Sequence, residues 1–129
     1  MPKIIDPLEA QEQQALFTWA ELQSCKYPDL AMMYHIPNGG RRDAKEAAML
    51  KAEGVKAGVP DICLPVARGG YHGLYIELKR RSGGRTSAAQ EAYISRLRAQ
   101  GYAAFVCRGF ERAKDVIMKY LKGGLKCEF

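Results

Sequence analysis

Residues 58 to 81, GVPDICLPVARGGYHGLYIELKRR, constrain this chain's fold more than any other stretch. Two short apolar runs, Asp61 to Val66 and Leu74 to Lys79, flank the segment ARGGYHG, whose glycine pair supplies the positive φ angles of a tight turn. The pattern predicts an antiparallel hairpin. Alternate side chains of a strand share a face, so Leu74, Ile76 and Leu78 point into a core while Glu77 and Lys79 project together on the other side. A turn centred on Gly69 sets Asp61 opposite Glu77, and one centred on Gly70 sets it opposite Lys79. Either register puts Asp61 on their face. Two carboxylates that close repel unless a cation lies between them or one takes a proton, which is the signature of a hard-cation site. The plainer alternative is a solvated Glu77–Lys79 pair on the polar face of a sheet.

The hairpin is surrounded by helical and strand patterns. PLEAQEQQALFTWAELQS (7–24) spaces Leu8, Leu16 and Trp19 for an amphipathic helix, with Ala15 and Leu22 widening the stripe. Ala31 to Ile36 is apolar and short enough for a strand, ended by Pro37-Asn38-Gly39-Gly40. RRDAKEAAMLKAEG reads as a helix stopped by Gly54. After SGGR, Thr86 to Gln100 forms a helix with Ile94 and Leu97 on one face. Tyr102 to Cys107 is an apolar strand, and Phe110 to Leu121 is a last amphipathic helix through Ala113, Ile117 and Leu121. The order α-β-α-β-β-α-β-α predicts an α/β fold, a mixed β-sheet flanked by helices.

A chain of 129 residues suits one domain, expected to span 1–129 with its core at about 8–122. Its 47% hydrophobic and 26% charged fractions are those of a soluble globular protein, and no apolar run is long enough for a membrane span. MPKIIDPLEAQEQQ has no secretory layout, so a cytoplasmic location is expected. Cys25, Cys63, Cys107 and Cys127 are scattered without a C-x-x-C pair and read as reduced and structural, not as zinc ligands. The formal net charge of +6 favours a polyanionic partner. It is concentrated in Arg41, Arg42 and Lys45 after one glycine pair, and in Lys79, Arg80, Arg81 and Arg85 around another.

GVPD followed by YIELK resembles the active-site signature of the PD-(D/E)XK nuclease superfamily, and HIPNGG...GVPDICL...GLYIELK...Q is similar to its VRR-NUC branch in the short, stand-alone form found in phages. The likeness runs from about Glu12 to the final helix. It implies a restriction-endonuclease-like fold and a Mg²⁺- or Mn²⁺-dependent endodeoxyribonuclease that hydrolyses phosphodiesters by metal-activated water. Asp61 and Glu77 would be metal ligands, the Leu78 backbone carbonyl a further one, and Lys79 the group assisting the nucleophile. Glu12 matches the acidic residue of the superfamily's first helix, reaching the metal directly or through a water, and Gln90 matches the glutamine that supports the catalytic centre. Branched DNA such as a four-way (Holliday) junction, cut by a homodimer, is the substrate that short members imply.

The residues carry independent readings of these positions. Glu12 lies four residues before Leu16 and seven before Trp19, so it falls on the buried stripe and needs a partner there. A slight helix rotation would instead expose it beside Glu9. Gln90 also completes a capping box, Ser87-Ala88-Ala89-Gln90. Tyr93, one turn on, reaches either the site or the core. Asn38, Gly39, Arg41 and Arg42, with Lys45, can bring amides and guanidinium groups to phosphates, as can Arg80, Arg81 and Arg85; an ordinary turn before a helix is the alternative for the first group. His35 and His72 share no ligand spacing and read as strand and loop residues. Two rivals remain: a non-catalytic DNA-binding module with a nuclease-like fold, and a sugar-phosphate or nucleotide hydrolase, which the missing G-x-x-x-x-G-K-[ST] loop disfavours.

Overall fold

A computed structural model describes residues 9–37 and 43–126. The hairpin builds its centre. Gly69 (φ 57°) and Gly70 (φ 89°) form a two-residue turn closed by reciprocal main-chain bonds between Arg68 and Tyr71 (3.2 and 2.9 Å). On the first arm Pro65 interrupts the ladder, and the Val66 N–H turns back to the Leu64 carbonyl (2.9 Å). That arm therefore holds one residue more than the second. The offset sets Ile62 against Ile76 and Leu64 against Leu74, the register that continues to Asp61 opposite Glu77.

The arms are β2 (Ile62–Leu64) and β3 (Leu74–Lys79). β1 (Tyr34–His35) pairs antiparallel with β2, and β4 (Ala103–Arg108) runs parallel to β3, giving a mixed sheet in the order β1-β2-β3-β4. β1 is shorter than the expected strand from Ala31 to Ile36. Pro28, with its preset φ, opens a 3₁₀ turn over Pro28–Met32 that buries Leu30 and uses the first part of that run.

α1 (Glu9–Gln23) and α4 (Phe110–Leu121) pack on the sheet face carrying Leu74, Ile76 and Leu78, each at most 1% exposed. The buried positions of α1 are Glu12, Leu16 and Ala20, one residue per turn. Ala15 and Leu22 turn to solvent instead of widening the stripe, while Phe17 and Trp19, one on each flank of it, pack partly buried against the core. Ala113, Val116, Ile117 and Tyr120 of α4 complete the core, and the Tyr120 hydroxyl donates to the Val66 carbonyl. Burying each large side chain stabilises the fold by about 1.5–3 kcal/mol. α3 (Ala88–Ala99) connects β3 to β4 and packs on the opposite face. α2 (Ala44–Ala52), capped by the Asp43 carboxylate, has no buried residue. Among the described residues no helix is long and apolar enough to cross a membrane.

Candidate active site

The polar face of β3 ends between the first turns of α1 and α3. Asp61 stands just ahead of β2, where β1 grips its peptide: its carbonyl accepts from the Ile36 N–H (2.6 Å) and lies 2.9 Å from His35 Nδ1. Its side chain Oδ2 accepts from the Leu78 N–H (3.0 Å). The position opposite Leu78 in the register is buried Pro60, which has no N–H to offer. The Leu78 carbonyl therefore lacks a ladder donor at the strand end where Asp61 sits.

Glu77 is 2% exposed although it lies on the polar side of its strand, because α3 covers it. Its Oε1 accepts from Gln90 Nε2 (2.7 Å), and its Oε2 is buried with no hydrogen-bond partner. Burial, the proton that Glu77 can share with the Asp61 carboxylate once it is protonated, and the Asp61 charge push the Glu77 carboxyl up to about 9, against the opposing pull of Lys79. A solvated surface pair is therefore not what the sequence has built.

One amide organises the group. Gln90 Oε1 accepts from Lys79 Nζ (3.1 Å) and from the Ser87 N–H (2.9 Å), while Gln90 N accepts nothing and donates to Ser87 Oγ (3.1 Å). The capping box and the contact to Glu77 and Lys79 are made together, so the two readings of Gln90 are compatible. Reversing the amide would set its NH₂ against the lysine and its oxygen against the carboxylate, so the network fixes its orientation.

Glu12 is placed differently from the expectation that it reaches a metal. It is 2% exposed, yet its Oε1 accepts from Arg81 Nε (3.0 Å) and its Oε2 from the N–H of Phe110. Gly109, the residue before α4, has no side chain to cap that helix, so the Glu12 carboxylate performs the capping across elements. The acidic group of α1 that faces the site is Glu9. Burial and the Asp61 charge raise its pKa while Lys79 and Arg80 lower it, and its charge in turn acts on Glu77. The sequence signal was present: Glu9 and Glu12 occupy the same first turn, three residues apart.

Of the basic residues, Lys45 is exposed at the start of α2, and Arg80, Arg81 and Arg85 are exposed on the loop after β3. Asn38, Gly39, Arg41 and Arg42 lie outside the described residues. Arg108 is an addition that the sequence did not single out. Its guanidinium donates to the carbonyls of Gly83 (2.6 Å) and Gly84 (2.9 Å), holding the glycine loop in shape.

Among the described residues no three His, Cys, Asp or Glu side chains converge as a ready-made metal cage. The site still suits a hard divalent cation, which binds one or two carboxylates and retains waters. Asp61 and Glu77 are adjacent, one Glu77 oxygen is buried without a partner, and the raised Glu77 pKa is the strain that a cation relieves.

The mixed sheet, its flanking helices and this acidic pair beside a lysine define a restriction-endonuclease-like α/β protein. The family model of the VRR-NUC domain matches residues 4–111, and the chain belongs to that nuclease-type family. A solved structure described as a VRR_NUC domain protein is 35% identical, with a TM-score of 0.80 over 93% of each chain. No curated protein matches the chain.

Proposed function

We propose that the protein is a divalent-metal-dependent DNA endonuclease, a single domain acting as a homodimer on branched DNA such as four-way junctions. The observation that carries the metal site is the buried, unpartnered Oε2 of Glu77 beside Asp61. Asp61, Glu77 and the Leu78 carbonyl would hold Mg²⁺ or Mn²⁺. When bound, such an ion polarises a phosphodiester and acidifies water. The Leu78 N–H orients Asp61, and Gln90 fixes Glu77 through one end of its amide and Lys79 through the other. Lys79 thereby presents its ammonium to charge developing on the phosphoryl oxygens. Glu9 extends the acidic side of the centre, and the exposed arginines of the loop after β3 bind flanking phosphates.

The test is a panel of labelled single-stranded, duplex, flap and four-way-junction DNAs, incubated with Mg²⁺, with Mn²⁺ and with chelator. Metal-dependent cutting, strongest on the junction, is the expected result. Tight binding without cutting under every condition would instead identify a non-catalytic DNA-binding module.

A further inference from the structure

The loop between α2 and β2 and one flank of α3 border a cleft of about 490 Å³, within the range of ligand sites. Lys56, Ala57, Tyr93, Arg96, Leu97 and Gln100 line it, and none of them takes part in the chemistry described above. It adjoins that chemistry. Tyr93 follows Gln90 by three residues, which places it on the same side of α3 and about 4.5 Å further along the axis. Gln90 is the residue that holds both Glu77 and Lys79.

The far wall of the cleft is fixed by close packing. Gly58 has φ 88°, and a Cβ there would lie 2.4 Å from the Ala89 carbonyl oxygen. The loop backbone thus rests directly on the first turn of α3, an approach that only glycine allows. That contact sets Lys56 and Ala57 across from Tyr93 and Arg96.

The lining combines three chemistries: an aromatic ring with apolar neighbours in Leu97 and Ala57, two cations in Lys56 and Arg96, and the donor and acceptor of the Gln100 amide. An unpaired nucleotide presents their complements, a π-face, a phosphate and a hydrogen-bonding base edge. A paired base keeps its face inside the duplex and offers none of it to Tyr93. We propose that this cleft takes up an unpaired nucleotide of the DNA substrate, with its base on Tyr93 and its phosphate at Lys56 and Arg96. The site then favours DNA with unpaired nucleotides near the cut, such as a flap or a four-way junction whose central pairs have opened, over a fully paired duplex. The identity of the ligand rests on the nuclease function proposed above.

Binding is measured by fluorescence anisotropy in chelator, where no cutting intervenes, with a labelled oligothymidine strand and a labelled blunt duplex. Tyr93→Ala weakens oligothymidine binding about tenfold, Tyr93→Phe changes it less than about twofold, and duplex binding moves less than about twofold in both. Arg96→Ala, at an exposed position that cannot unfold the core, also weakens oligothymidine binding and makes its salt dependence shallower by about 0.7. Wild-type oligothymidine binding by both alanine variants, or equal losses on both ligands, overturns the proposal. If Tyr93→Ala does not fold, Arg96→Ala decides. Selective loss on oligothymidine, with no DNA cut in any metal, upholds the cleft and rejects the nuclease function.

Discussion

Glu77 is a carboxylate that the fold holds at a cost until a cation arrives. Its folded pKa of about 9 lies above the ordinary 4.5, so the folded state binds its proton more tightly than the unfolded chain does. Its contribution to stability is therefore complete below about pH 4.5 and is lost as the pH rises towards 9. Glu9, raised in the same direction, adds to that slope. Glu77→Gln can keep the bond from Gln90 and donate to Asp61 without a buried charge. The metal-free variant should melt roughly 3–6 °C higher than the wild type at pH 8, converge with it near pH 5, and show no cleavage. Thermal melts in chelator at the two pH values check the first two outcomes. Lys79→Ala should slow the chemical step by about 10²–10³-fold, while Mg²⁺ still raises the melting temperature. Gln90→Ala, which releases Glu77 and Lys79 together, should lower both the rate and the metal-induced stabilisation; single-turnover kinetics and metal titrations separate the two.

The hairpin shows which parts of an element its sequence specifies. Alternation in LYIELK placed Leu74, Ile76 and Leu78 in the core and Glu77 with Lys79 on the opposite face, because a period of two leaves no other arrangement. The register was undecided between the glycines, since both occupy the turn and the deciding residue is the extra one at Pro65–Ala67. The full burial of Glu77 was not legible either. It depends on α3 returning over β3, a tertiary event that strand periodicity does not encode. Helix α1 gives the converse lesson: the stripe correctly buried Glu12, but burial alone did not say whether a metal or a helix end would satisfy it. The cap at Phe110 lies 98 residues away in the chain. These two acidic groups of α1 therefore behave oppositely on mutation. Glu12→Ala should lower stability by about 1–3 kcal/mol by stranding the Phe110 N–H and Arg81, and should leave the metal midpoint of the surviving fold unchanged. Glu9→Gln should spare stability and shift that midpoint upward. Urea melts paired with Mn²⁺ titrations would show the reverse pattern if Glu12 were the metal-facing group.

Among the described residues one acidic centre, Asp61 with Glu77, sits in a basic chain with a net charge of +6, which fits one cut in one strand per protomer. Resolving a four-way junction needs cuts in two strands related by approximate two-fold symmetry, and a C2 dimer places two such centres at matched positions. The exposed apolar side chains, including Leu22 at the end of α1 and Met32 in the neighbouring 3₁₀ turn, offer surface that an isologous contact could cover. Light scattering in physiological salt should then give twice the 14.4 kDa chain mass, with or without junction DNA. Mixing wild-type chains with an excess of Asp61→Asn chains adds a kinetic signature. Heterodimers carry one competent centre, so they should nick junctions without completing the paired cut, and resolved product should fall more steeply than total nicks as the variant fraction rises. A strict monomer, or resolved product falling only in proportion to nicks, would remove the paired-cut arrangement while leaving the single-site chemistry of Asp61, Glu77 and Lys79 to stand on its own tests.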